Sequence, residues 1–126
     1  MNKTLIIFFI FILTNFFTIF STFDCKKKTQ KIVEKIEIIE NNLNKKNVDF
    51  LIKETKNLNA LWKKLEKSLR IYLKRKNLEE VGKKLVTLEQ SIKFLKIYDA
   101  KKSIYQIKRI CYEIVKETKP SISNIL

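Results

Sequence analysis

The sequence predicts an all-α protein: an N-terminal transmembrane or signal-anchor helix followed by an antiparallel four-helix bundle made of helical hairpins. Three observations predict it. The stretch from Leu5 to Phe23 is 19 residues long and carries no charge. Beyond it, apolar residues recur at alternating spacings of three and four, the pattern of helices that each bury one stripe. One Gly and one Pro in 126 residues leave little with which to punctuate β-hairpins, and no window of comparable length alternates with period two.

Residues 1–24 form the first element. Nineteen helical residues rise about 28 Å, close to the ~30 Å hydrocarbon core of a bilayer. Ile and Phe dominate, and Thr14, Asn15 and Thr18 weaken the segment only modestly. A cleavable signal needs small residues at both ends of a three-residue site. Neither Ile19-Phe20-Ser21 nor Ser21-Thr22-Phe23 provides them. Cys25 follows Phe23 and Asp24, which argues against lipidation. The favoured reading is an uncleaved single-pass anchor in the cytoplasmic membrane. A cleaved signal, which would leave a secreted domain, and a buried core helix are the alternatives. Orientation draws opposed arguments. Lys26, Lys27, Lys28, Lys31 and Lys35 after the stretch outnumber Lys3 before it, which by the positive-inside rule keeps the domain cytoplasmic. An N-terminal anchor with so short a head looks instead like an export signal, and an extracytoplasmic domain is the expectation.

Residues 25–119 form the bundle and 120–126 a short tail. Ile32, Ile36, Ile39 and Leu43 make the first stripe. Leu58, Trp62, Leu65, Leu69 and Tyr72 make the second, and Leu78, Val81, Leu85, Leu88, Ile92 and Leu95 the third. Ile104, Ile107, Cys111 and Ile114 make the fourth. Breaks are expected at Asn44 to Asn47, at Lys76-Asn77 and at Tyr98-Asp99, with Asp49 and Asp99 as N-caps and Pro120 as the final stop. Short connections make antiparallel neighbours. Gly82, inside the third helix, marks either close helix packing or a kink. Asn47-Val48-Asp49 and Ile97-Tyr98-Asp99, 50 residues apart, hint at a doubled helical hairpin.

Composition narrows the function. The absence of His removes His-based triads, His-metal sites and a histidine general base. One Gly excludes glycine-rich phosphate loops and the dinucleotide fingerprint. Glu34, Glu37, Glu66, Glu79, Glu80 and Glu113 each have Lys within four residues, as solvated helix pairs do. No catalytic residue, cofactor or metal is therefore assigned, and the protein is expected not to be an enzyme. Trp62 is expected to be a core anchor, with ligand binding as the alternative. Cys111 sits on an apolar stripe, where a free thiol packs as a small hydrophobe. An intramolecular bridge to Cys25, which is expected to begin the first bundle helix at the membrane, an intermolecular bridge, and a reactive thiol are the alternatives.

The formal charge is +14, from 27 Lys and Arg against 13 Asp and Glu. Lys53, Lys56, Lys63, Lys67, Arg70 and Lys74 are expected to share one face of the second helix, with Ala60 at the missing step. That row would be about 30 Å long, opposite the apolar seam. The fourth helix repeats Tyr98, Tyr105 and Tyr112 at heptad intervals, and Lys102, Arg109 and Lys116 likewise. Such rows suit anionic lipid headgroups or an acidic wall polymer, and less well nucleic acid. The alternative is a solvated face in a Lys-rich chain. There are 24 Lys against 3 Arg, whereas surfaces built to grip phosphate favour the bidentate Arg fork.

From Trp62 to Ile92 the chain resembles a family of small bacterial proteins known as domain of unknown function 4363. The shared order is an apolar N-terminal segment, a helix carrying a Trp, and a short turn before Asn77-Leu78-Glu79-Glu80-Val81. A helix ending near Ile92, a last helix begun at Asp99, and a terminal Ser121-Ile122-Ser123-Asn124-Ile125-Leu126 complete it. Members tend to carry a His in the turn after the Trp helix, where this chain has Lys74-Arg75-Lys76. The resemblance implies architecture and no activity. The expected function is a membrane-anchored structural or protein-interaction module of the cell envelope, attached through Leu5 to Phe23 and accessory to another envelope protein. A basic binding module for anionic lipid or acidic wall polymer is the alternative.

Overall fold

The uncharged stretch and the first amphipathic stripe are one helix. In the computed structural model, which describes residues 2–45, 47–71 and 73–118 (117 and 118 by backbone alone), α1 spans Lys3–Asn42. A 3-10 turn at Leu43–Lys45 leads to α2 (Val48–Leu69), α3 (Arg75–Lys93) and α4 (Ile97–Thr118). Cys25, expected to begin the first bundle helix, lies instead inside α1. No Gly or Pro stands between Phe23 and Lys28, and Asp24 pairs along the helix with Lys28 Nζ at 2.7 Å instead of capping a new one.

Each helix buries the stripe that its spacing marks. Ile32, Ile36, Ile39 and Leu43, then Leu58, Trp62, Leu65 and Leu69, are buried, as are the third stripe from Leu78 to Ile92 and the fourth from Ile104 to Ile114. Tyr72, Pro120 and residues 121–126 lie outside the described residues. Leu95 departs from the expectation and is 65% exposed. Helix α3 ends at Lys93, and Leu95 turns left-handed with φ 59°. Its N–H bonds the Ile92 carbonyl at 3.1 Å, and Lys96 N–H bonds that of Ser91 at 2.8 Å. Those two bonds define a Schellman end, which throws the residue out of the helix register.

The connections differ from expectation in three places. Asn47, not Asp49, caps α2, its Oδ1 accepting from Phe50 N–H at 3.2 Å. Asp49 falls in the first turn, where it still complements the helix dipole. Helix α2 ends at Leu69 and α3 begins at Arg75, so Lys76-Asn77 belongs to the first turn of α3. The third break covers residues 94–96, which places Asp99 in the first turn of α4. In both cases the chain leaves its helix as soon as the apolar stripe ends.

The helices close a ring. Helix α1 packs on α2 and α4, and α3 packs on the same two. Between α2 and α3, Asn59 Nδ2 donates to Glu89 Oε2 at 3.1 Å. Between α4 and α1, Lys108 Nζ donates to Glu40 Oε1 at 2.7 Å. At the end far from the N-terminal stretch, Leu43, Leu51, Ile92 and Ala100 line an apolar cavity of about 290 Å³.

Candidate functional site

Two features stand out among the described residues: the uncovered half of α1 and the basic surface of the bundle. Every Leu, Ile and Phe between residues 5 and 23 is exposed. Its polar residues are satisfied within the helix. Thr14, Asn15, Thr18, Ser21 and Thr22 each donate to the carbonyl four residues back, at 2.8–2.9 Å. A bilayer offers no water to such groups, so internal satisfaction is what hydrocarbon requires.

Those polar residues also lie in register with the bundle. Asn15, Thr18 and Thr22 are half-buried, and they continue by threes and fours into Cys25, Thr29, Ile32 and Ile36. Thr29 is buried and bonds the Cys25 carbonyl at 2.8 Å. The spacing of the seam thus continues into the uncharged stretch, although burial begins only at Cys25.

On α2, Lys53, Lys56, Lys63 and Lys67 are exposed along the side opposite the core, with Ala60 between them. Arg70 follows the helix end, and its Nη2 donates to Glu66 Oε1 at 3.3 Å. Lys74 does not belong to this row. It stands across the turn as the N-cap of α3 and makes no side-chain cap bond. The row therefore runs from Lys53 to Arg70, about 26 Å. On α4, Tyr98, Tyr105 and Tyr112 are exposed, as are Lys102, Arg109 and Lys116, so aromatic rings and cations alternate along one outer face. Arg109 Nε lies 3.6 Å from Glu113 Oε1.

A third basic group was not singled out from sequence. In residues 70–76 lie Arg70, Lys74, Arg75 and Lys76, all exposed. Among them Ile71 is 74% exposed, while Leu69 and Leu73 on either side are buried. Sequence spacing assigns Arg70 and Lys74 to the α2 row and Lys74-Arg75-Lys76 to the turn after the Trp helix, and only the observed break at Leu69 groups the four.

The buried interior offers packing rather than chemistry. Cys25 and Cys111 are both buried, and neither is in a disulfide. Burial pushes the Cys111 thiol up from 9.0 to about 12, which holds it protonated and removes the thiolate that a nucleophile needs. Trp62 is buried in the core, and its Nε1 has no hydrogen-bond partner.

The fold and this surface define a class: an all-α chain in which one helix, long and apolar enough to cross a membrane, runs unbroken into a basic four-helix bundle. The chain belongs to the family described as Domain of unknown function (DUF4363), which matches residues 19–125. The match begins inside the uncharged stretch, close to where the bundle seam begins. No curated protein and no solved structure matches the chain.

Proposed function

We propose that this protein is a non-enzymatic, single-pass membrane protein whose helical bundle serves the cell envelope as a structural or protein-interaction module. The bundle would stand on the outer face of the cytoplasmic membrane, accessory to another envelope protein. One observation carries the reading: the same helix is bare and internally satisfied over residues 5–23 and locked into the bundle from Cys25 onward. A bare apolar helix in water would aggregate; in a bilayer it is at home. Its continuity makes it a stiff stalk rather than a tether. The full-length protein should sediment with membranes and resist alkaline carbonate. Protease added to spheroplasts should digest the bundle. Release by carbonate, or recovery of a soluble species that begins near residue 24, overturns the anchor; complete protection overturns the orientation.

A second reading, a binding module for anionic lipid or acidic wall polymer, is favoured by the ordered row of Lys53, Lys56, Lys63, Lys67 and Arg70. Its test is retention on anionic liposomes or wall polymer that declines with salt.

A further inference from the structure

We infer that the α2–α3 turn is a membrane-contact point: Arg70, Lys74, Arg75 and Lys76 engage anionic lipid headgroups while Ile71 enters the interface. This rests on the anchored reading of α1.

The argument begins with lengths. From Cys25 to its end at Asn42, α1 rises about 26 Å, whereas α2 runs about 32 Å from Val48 to Leu69. The two helices start from one short connection, and Leu43, Val48 and Leu51 line the same cavity beside it. Antiparallel packing therefore returns the end of α2 to the level of Cys25 or beyond it, toward residues 5–23. If those residues fill the hydrocarbon, the turn arrives where the headgroups are.

The chemistry of the turn fits that place. Its four cations are exposed, and of these Arg70 and Arg75 hold helix partners, Glu66 and Glu79, that leave their outer faces open. Arg side chains hold two of the chain's three guanidinium forks here, the group best shaped for phosphate. Lys26 and Lys27 are exposed on α1 at the same end of the bundle. Each such charge near an anionic leaflet adds to the attraction, which fades within a Debye length. Buried Leu69 and Leu73 pin the turn to the bundle, and Leu73 N–H bonds the Leu69 carbonyl at 3.0 Å. Ile71 between them cannot reach the core. An apolar side chain held outward among cations is the pattern of a segment that lies in a membrane interface.

The test uses the full-length protein reconstituted in vesicles of phosphatidylcholine, alone or mixed with phosphatidylglycerol. Single spin labels are placed at Ile71→Cys, Phe94→Cys and Ile10→Cys; Cys25 and Cys111 are buried and leave these as the reactive thiols. Phe94, 72% exposed at the opposite end of the bundle, is the aqueous reference. Accessibility to a neutral nickel chelate should be several-fold lower at Ile71 than at Phe94, with oxygen accessibility correspondingly higher. The difference should grow with phosphatidylglycerol and shrink with salt. Joint Lys74→Glu, Arg75→Glu and Lys76→Glu reversal should move the Ile71 label toward water with helicity unchanged. If Ile71 matches Phe94 in phosphatidylglycerol vesicles while Ile10 reads hydrocarbon, the inference fails and the anchor stands. If Ile10 itself reads water, the anchored reading fails first. A membrane signal at Ile71 that ignores lipid charge and the reversals overturns the headgroup role.

Discussion

The indole Nε1 of Trp62 on α2 lies 3.5 Å from the point that a Cβ on Gly82 of α3 would occupy. The one Trp and the one Gly of the chain thus face each other across the α2–α3 interface. Gly82 has ordinary helical backbone, without positive φ, so its role is the close approach and not a strained conformation. Of the two readings open for it, close packing is the one this contact describes.

Trp62→Ala should cost the detergent-solubilised protein about 3–5 kcal/mol in chemical unfolding, the usual loss on emptying a buried aromatic site. Glu66→Ala removes only an exposed helix pair with Arg70 and should change stability by less than about 0.5 kcal/mol. Comparable losses would mean that Trp62 is not the anchor of this interface. Gly82→Ala is the companion. A Cβ at 3.5 Å makes ordinary contact, so the helix-propensity gain of roughly 0.5–1 kcal/mol should survive. A marked loss would show that the indole cannot yield even slightly.

Leu95→Gly should stabilise the protein by about 1 kcal/mol. Leu95 holds φ 59° at the Schellman end of α3, a conformation that costs a residue with a Cβ roughly 1–2 kcal/mol and costs glycine little. Because the side chain is mostly exposed, little burial is lost in exchange. A lower unfolding midpoint in the variant would show that the leucine contributes more through the cavity it borders than it costs in backbone strain.

Alkaline conditions should weaken the fold through Cys111. Its thiol is pushed from 9.0 to about 12 by burial. Below pH 9 both the folded and unfolded chains keep the proton, and folding is unaffected. Above it the unfolded chain releases the proton while the folded chain retains it, so stability falls as pH rises toward 12, by up to about 1.4 kcal/mol per pH unit. The stability of Cys111→Ala should be flatter across the first unit above pH 9. Parallel curves for the two proteins would place the thiol in contact with water.

Reversing Lys56, Lys63 and Lys67 to Glu should leave helicity and melting almost unchanged, since all three are exposed on α2 away from the core. If the row binds an anionic polymer or lipid, those reversals should reduce retention more than equal reversals scattered on other helices. Equal reductions would mean that net charge alone acts.

Helical periodicity is a local property, and every seam that it marked is buried in the described residues apart from Leu95. Spacings of three and four place side chains over one another whatever the partner, so Ile32, Leu58, Leu78 and Ile104 could be assigned to a core before their neighbours were known. Capping and grouping needed the assembled bundle. Asn47 and Asp49 are both good N-terminal residues, and the choice fell to the one at which α2 meets the 3-10 turn. Lys74 reads as a continuation of the α2 row until buried Leu73 draws the chain into a turn and hands it to α3. The reason is the same in each case. A stripe requires only its own helix, whereas a boundary is decided by whichever packing partner claims the next side chain.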